Sequence, residues 1–429
     1  MVAVLSIIIF LGLLLLGVPI SFVIGIVAFF GIGMLPGVSM ITVAQKMLSG
    51  LNSFVLLAVP LFILAANLMN HGKITDKLID FSLALVGHVR GGLAHADVIV
   101  SMFFAGISGS SQAETAALGK IMIPSMIKEK YSKETALAVT ASAATIGIII
   151  PPSIPMVVYG SLAGVSIGAL FMAGFVPGIL IGLGLMFLIY LQSLKHNYQR
   201  RERVKLVDLI KKFFVSVPPL ATPAIIIGGI VGGVVTPTEA AVLACIYAFI
   251  LGKFVYRTLK WREIPEIFID TLKISCIALF ALATASALGE LLSYYGVSQI
   301  VSDFFTKNLP YAPVFLLAVI ILYLFLGTFM DAIPAMILFV PVLMPAAQNL
   351  GINQIHLALV TVVCLAVGLI TPPYGLCLLL ASAIADVPVI KAFRATFPYM
   401  CVILAVLLFI TFFPDVALWI PKMIKPQWF

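Results

Sequence analysis

Long apolar runs decide what this chain can fold into. They fall near residues 2–17, 19–35, 53–70, 96–107, 134–150, 154–163, 168–194, 217–235, 238–256, 270–294, 312–329, 333–346, 354–370, 374–385 and 396–418. A helix crosses a bilayer core with roughly 20 apolar residues, so 429 residues supply on the order of ten crossings and their connections. With 62% hydrophobic and only 10% charged residues, too little polar surface remains to cover a globule in water. A soluble enzyme, a disordered chain, a coiled coil and a free nucleic-acid-binding domain are excluded, so no nucleic-acid partner is expected. A transmembrane barrel would show short alternating segments instead of long runs. The expectation is an all-α polytopic membrane protein whose surrounding partner is the lipid bilayer.

The net charge of +8 is concentrated in a few loops, as the positive-inside bias requires. The most basic segment runs from Lys195 to Lys212, and it is expected to be a cytoplasmic linker between two halves. The cysteines Cys245, Cys276, Cys364, Cys377 and Cys401 are scattered through apolar stretches without a CxxC and are expected to be buried small hydrophobes. The histidines, at 71, 88, 95, 196 and 356, show no metal-ligand spacing and are expected at the membrane interface. The N-terminus has no basic region before its apolar run, so it is expected to be a retained helix.

The halves are related. Sliding residues 327–399 onto 106–178 needs no gap, and 10 of 73 positions are identical. Most of the matches are glycine or proline: Gly106 with Gly327, Pro124 with Pro345, Gly147 with Gly368, Pro151–Pro152 with Pro372–Pro373, and Pro177 with Pro398. Upstream, Val18–Pro19 falls near Thr236–Pro237 and Gly72 near Gly296. Basic residues flank the hairpin that follows His88, Arg90 and His95 and ends at Lys128, Lys130 and Lys133. The ends of the matching hairpin, from about Pro310 to Asn353, are nearly uncharged. Opposite flanks imply inverted repeats, each with five crossings and one re-entrant hairpin, over 1–194 and 213–429, and both chain ends on the outer side. The amphipathic stretches 41–52, 73–90 and 296–308 are expected to lie at the interface, and the Gly-rich segment 228–233 to let helices approach closely.

Two constellations recur at the centre of the repeats. One is the hairpin tip, Gly106-Ile-Ser108-Gly109-Ser110-Ser111 in the first half and Gly327-Thr-Phe-Met-Asp331 in the second. The other is a break at Gly147-Ile-Ile-Ile150-Pro151-Pro152-Ser153 and at Gly368-Leu-Ile-Thr371-Pro372-Pro373-Tyr374. Paired prolines inside an apolar run remove two N–H donors and free upstream carbonyls, which are costly in hydrocarbon unless something coordinates them. A cation does so, and the helix N-termini after each break favour an anion. Broken helices of this kind build the sites of secondary transporters. Ser108, Ser110 and Ser111 are candidate ligand contacts. Asp331 is a candidate to bind a cation, take a substrate hydroxyl or amine, or pair with a base, since intramembrane acids are expensive and functional. Glu114 follows the serine tip closely enough to orient it, Glu239 follows Pro237 and suits a helix N-terminus, and Glu290 raises the same question.

The ordered segments GISGSSQAETAALG, ASAATIGIIIPPSIPMVVYG, GGIVGGVVTPTEAA, FLGTFMDAIPAMILFVPVLMP and GLITPPYG resemble the large membrane subunit of tripartite ATP-independent periplasmic (TRAP) transporters, over essentially the whole chain. The resemblance implies an elevator-type carrier of the bacterial inner membrane, similar to the ion transporter superfamily, with a moving domain over roughly 94–165 and 311–388. It also implies Na⁺ coupling with at least two sites, a small four-helix membrane subunit, and a periplasmic binding protein delivering an organic acid such as N-acetylneuraminate or a C4-dicarboxylate. Because nothing precedes Met1, a separate small subunit is expected. By position, the resemblance assigns one Na⁺ site to Ala105, Ser108, Gly147, Ile150 and Pro151. It assigns the other to Gly327, Gly368, Thr371 and Tyr374. The substrate carboxylate is expected at Ser108, Ser110 and Ser153, with Asp331 opposite. Three rivals stay open: a stand-alone Na⁺/dicarboxylate carrier, a passive channel, and an intramembrane serine protease built on Gly106-Ile-Ser108-Gly109, which lacks a convincing mid-membrane base.

Overall fold

The structure is a computed structural model and describes residues 2–196, 198, 200–308 and 311–426. Among the described residues there is no strand, and seven helices are long and apolar enough to cross a membrane. The first half contains α1 (Val2–Leu15), α2 (Ile20–Gly33), α3 (Ile41–Leu51), α4 (Ala58–His71), α5 (Ile74–Val86), α6 (Gly92–Ser108), α7 (Ser111–Lys128), α8 (Lys133–Ala144), α9 (Ile154–Ala163) and α10 (Ile167–His196). The second contains α11 (Leu206–Val231), α12 (Pro237–Ile250), α13 (Ile264–Tyr294), α14 (Val297–Asn308), α15 (Ala312–Gly327), α16 (Ala332–Asn349), α17 (Gln354–Gly368), α18 (Leu376–Ala385), α19 (Val389–Phe412) and α20 (Pro414–Ile424).

The sequence repeat is a structural repeat. Helices α6 to α10 recur in order as α15 to α19, and α7 and α16 begin and end at equivalent residues. Pro124 and Pro345 lie inside those two helices, Pro177 and Pro398 inside α10 and α19, and both Pro-Pro peptide bonds are cis. Pro19 and Thr236 stand at the N-termini of α2 and α12, and Gly72 and Gly296 follow α4 and α13. Between the hairpins α6–α7 and α15–α16 stand the broken helix α8–α9 and then α10, α11, α12 and α13.

Packing follows the same pseudo-symmetry. Helix α2 packs on α13 and α4 on α12, each pair drawn from both halves. The second half of each broken helix packs on the other repeat's hairpin, α9 on α16 and α18 on α7. The amphipathic stretches form α3, α5 and α14; α5 packs on α6, whereas α14 packs on α16, the counterpart of α7, so the symmetry breaks at these helices.

Several expectations are corrected here. The linker is helical from Leu206 onward, so Lys211 and Lys212 belong to α11. Asp208 in its first turn suits the positive end of the helix dipole. Cys245, Cys364 and Cys377 are buried, but Cys276 and Cys401 are exposed on long apolar helices whose outer faces meet lipid. His95 and His356 are buried, not interfacial; His356 Nε2 meets the Ile410 carbonyl at 2.9 Å. The side chain of His196 and the expected hairpin start at Pro310 lie outside the described residues. Gly228 and Gly229 approach no other helix; a Cβ at Gly229 would meet only Val235. That segment ends α11 through Gly232 and a turn at Gly233. Glu239 closes a capping box with Thr236, the local role its position suggests.

Candidate functional site

The first hairpin turns on a left-handed residue. Gly109 has φ +60°, and a Cβ there would lie 2.7 Å from the Pro152 carbonyl, so only glycine fits. Its own carbonyl accepts from Ile154 N at 3.3 Å, joining the tip to the start of α9. Ser110 is the N-cap of α7 and accepts from Ala113 N at 3.4 Å, while its backbone N–H donates to Ser108 Oγ at 3.4 Å. The break itself packs against this hairpin. A Cβ at Gly147 would come within 2.7 Å of Glu114 Oε2 and 3.2 Å of Ser111 Cα, and one at Gly106 within 3.7 Å of the Pro151 carbonyl.

The second hairpin is built alike. Asp331 is the N-cap of α16. Its Oδ1 accepts from Ala332 N at 2.8 Å and from Gln112 Nε2 at 2.9 Å, so one side chain of the first hairpin reaches the tip of the second. Tyr374 N donates to the Thr328 carbonyl at 2.9 Å. Gly327 and Gly368 touch backbone to backbone: a Cβ on Gly327 would fall 2.9 Å from Gly368 Cα, and one on Gly368 2.6 Å from Gly327 Cα.

At Gly147 and Pro151 the residue four positions on is a proline with no N–H to give, and acceptors near the second hairpin tip and break are also left without donors. Among the described residues no N–H or O–H donates to the carbonyls of Gly147, Ile150 and Pro151, nor to those of Gly327 and Thr371. A bare carbonyl away from water costs a few kcal/mol, and a cation with oxygen ligands relieves that cost. Gly147, Ile150 and Pro151 therefore suit a cation by their backbone, as do Gly327 and Thr371. The Thr371 hydroxyl donates back to the Val367 carbonyl at 2.8 Å, and the Gly368 and Ala105 carbonyls already accept from Thr371 N and Gly109 N.

Between the tips lies a cavity of about 370 Å³. Ser110, Gln112, Asp331 and Tyr374 line one wall, and apolar residues of α2, α4 and α13, such as Ile20, Ile63 and Ile277, line the other. A side cavity of about 210 Å³ shares Ser110 and Gln112 and adds Ser108 and Asn67. Asn67 is held by its hydrogen bond to Thr271 Oγ1 at 2.9 Å.

Of the residues expected to meet substrate, Ser110 and Asp331 thus line the main cavity, and Ser108 faces the side cavity. Ser111 and Ser153 line neither. The Ser153 hydroxyl donates to the Ile148 carbonyl at 2.5 Å and accepts from Met156 N at 3.3 Å as the N-cap of α9, so its single donor is already spent. Ser111 Oγ is buried without a hydrogen-bond partner among the described residues. Glu114 does not orient the tip: it is buried beside Ser101 and hydrogen-bonds to none of the tip serines. Glu290 pairs with Lys46 at 2.8 Å, away from the cavity. Gln112 and Asn67 are the residues that sequence reasoning missed. The signal for Gln112 was its place two residues past the cap, inside the serine-rich tip.

A family model described as the tripartite ATP-independent periplasmic transporter, DctM component, matches residues 7–416. The chain belongs to this family. It is 36% identical to the sialic acid TRAP transporter large permease protein SiaM of Vibrio cholerae, covering 96% of this chain and 97% of that one. It is 38% identical to the C4-dicarboxylate TRAP transporter large permease protein DctM of Pseudomonas aeruginosa, covering 89% of each. It is also 38% identical to the uncharacterized protein YgiK of Salmonella typhimurium, over 97% of this chain and 96% of that one. Two solved transporters share the fold at low identity. One is MtrF of Neisseria gonorrhoeae, with TM-score 0.59 and 12% identity, over 89% of this chain and 84% of that one. The other is YdaH of Alcanivorax borkumensis, with TM-score 0.55 and 15% identity over 88% of each. The chain is thus a large permease component of the TRAP type, and the hairpin-tip cavity is the candidate site of that permease.

Proposed function

We propose that this permease imports a carboxylate-bearing solute across the bacterial inner membrane, driven by a Na⁺ gradient, with a sugar acid or a C4-dicarboxylate as cargo. A periplasmic binding protein delivers the solute, and a small membrane subunit completes the assembly. The observation that carries this reading is the set of undonated carbonyls at the first break (Gly147, Ile150 and Pro151), at the second hairpin tip (Gly327) and at the second break (Thr371), beside the tips that line the cavity.

Na⁺ is held by the carbonyls of Gly147, Ile150 and Pro151 in one half and of Gly327 and Thr371 in the other. When bound, it supplies positive charge beside a cavity with no basic lining residue. The chain's own residues do the rest. Ser110 and the first turn of α7 offer donors to a carboxylate, and Asp331 takes a hydroxyl or amine. The apolar wall of α2, α4 and α13 excludes water. Movement of the hairpins and broken helices against that wall, as an elevator, exposes the cavity to each side in turn. Relatives named for sialic acid and for C4-dicarboxylates support the choice of cargo class.

The test is uptake of radiolabelled organic acids into proteoliposomes holding this chain, its small subunit and its binding protein. Uptake that requires both an inward Na⁺ gradient and the binding protein supports the reading. Uptake without the binding protein favours a stand-alone carrier, and uptake indifferent to the gradient favours a channel.

A further inference from the structure

The wall opposite the hairpin tips is not uniformly apolar. Helices α2, α4 and α13 set isoleucines and alanines against the two cavities, and the polar side chains they add among the lining residues are Ser21 of α2 and Asn67 of α4. Asn67 follows Ile63 by one helical turn, so both side chains leave α4 on the same side, and Ile63 lines both cavities. The orientation of the Asn67 amide is fixed by its neighbour. The Thr271 hydroxyl donates its one hydrogen to the Ile267 carbonyl at 2.7 Å, so toward Asn67 it can only accept, and it takes Nδ2 at 2.9 Å. Oδ1 is the end left over. It accepts no hydrogen bond among the described residues and keeps contact with open space. A tie between α4 and α13, of the kind that links membrane helices, uses one amide hydrogen. The carbonyl oxygen, with room for two hydrogen bonds, is left for something that enters the cavity.

We infer that Asn67 is a contact on the fixed wall for the cargo, accepting a hydroxyl or amide N–H of the solute on Oδ1 only while the first hairpin stands against α4. Ser108, Ser110 and Gln112 of that hairpin share with Asn67 the side cavity of about 210 Å³. That is smaller than a site for a whole solute and suits one polar branch of a molecule seated in the main cavity, with which it shares Ser110 and Gln112. Asn67 is tied to α13, whereas the serines and Gln112 belong to the unit that moves. Movement carries the solute away from Asn67, so the contact exists in one position of the hairpin and is lost in the other. A contact made in one state alone gives the solute a differential affinity for that state. The inference rests on the proposed function, since it takes movement of the hairpin to carry the solute.

The experiment is transport in both directions by proteoliposomes of known orientation, holding the chain and its small subunit, with the binding protein supplied outside. The probes are radiolabelled N-acetylneuraminate, gluconate, malate and succinate at fixed Na⁺. Asn67→Leu keeps the side-chain volume and removes both polar ends. For a transported acid that carries a hydroxyl or N–H, the concentration for half-maximal transport is expected to rise about threefold to tenfold in one direction, the range of a single neutral hydrogen bond. In the other direction it is expected to change less than twofold, with membrane yield unchanged. Thr271→Val leaves Asn67 in place without its anchor and is expected to raise the same value in the same direction. An equal rise in both directions, no rise with either variant, or wild-type transport of succinate alone overturns the inference and leaves the Na⁺-coupled carrier standing. No Na⁺-dependent transport of any of the four acids by the wild type overturns both.

Discussion

At the tip of the first hairpin the residue that caps the return helix is Ser110; at the tip of the second, the equivalent residue is Asp331. The divergence continues away from the tip. Asp97, Ser101, Ser111, Gln112 and Glu114 of the first hairpin correspond to Ala318, Leu322, Ala332, Ile333 and Ala335 of the second. Asp97 Oδ2 accepts from Thr140 Oγ1 at 2.5 Å, tying α6 to α8 through a buried polar group. The second hairpin instead holds its broken helix through the Gly327–Gly368 backbone contact. Its base is also unlike the first, where Arg201 Nε from the linker donates to Glu129 Oε1 at 2.9 Å and Arg201 N to the Gly87 carbonyl at 3.1 Å. One backbone plan therefore carries two chemistries. The first hairpin is a polar element held by directed bonds. The second is a close-packed apolar element with one charge at its tip. A two-fold symmetric scaffold acquires a directional cavity only because its halves have diverged in this way.

The comparison breaks most severely where backbones touch. Gly368→Ala is expected to displace the tip of the second hairpin, since neither Gly327 Cα nor its carbonyl is a flexible side-chain end. Overpacking of this kind costs about 1–3 kcal/mol or more, so reduced membrane yield and loss of uptake should be seen together. Gly106→Ala in the first half meets the Pro223 ring at 3.0 Å and the Pro151 carbonyl at an ordinary contact distance of 3.7 Å, and should be distinctly milder in both assays. Ser110→Asp makes the first tip imitate the second. It sets two carboxylates on one cavity, and uptake should fall at least as far as in Asp331→Ala, by roughly tenfold or more, with yield unchanged. Gln112→Ala removes a hydrogen bond to a charged group, worth about 1.5–3 kcal/mol. It should raise the substrate concentration for half-maximal uptake by roughly tenfold and leave Ile333→Ala, its counterpart, near wild type. Arg201→Ala removes an ion pair that is half exposed, worth about 0–1 kcal/mol, and a melting temperature within a few degrees of wild type is expected. Thr371→Val should be the smallest effect. Its hydroxyl is already bonded to Val367, so the Na⁺ concentration for half-maximal uptake should not move, while a clear rise would make the hydroxyl a ligand.

The parts of this architecture that depend on backbone were legible in the sequence. Gly106, Gly147 and the paired prolines can occupy few places, so their spacing exposed the repeat, the hairpins and the breaks before any contact was known. The amphipathic stretches that became α3, α5 and α14 were legible as helices, because their apolar residues recur at helical spacing. Side-chain commitments were not legible. Ser153 looks like a ligand in the sequence and is used as a cap; Glu114 sits close to the serines in number and points elsewhere. Gln112 reads as an ordinary polar helix residue until the second hairpin, 219 residues away, comes within 2.9 Å. His95 and His356 fall near helix ends by count, yet neighbouring helices bury them. The glycines at 228–233 looked like a packing stripe and proved to be the end of α11, because small residues serve both purposes and only the neighbour decides.

The cavity between the tips is the centre of this reading, and its accessibility tests it most directly. Ser110→Cys would be introduced with the exposed Cys276 and Cys401 replaced by alanine, in proteoliposomes of known orientation. A membrane-impermeant maleimide would then be applied from either side. Labelling from both sides, slowed when Na⁺ and the transported acid are present together, is the expected result. Labelling from one side only, unchanged by Na⁺ and substrate, would contradict a transport site at the hairpin tips.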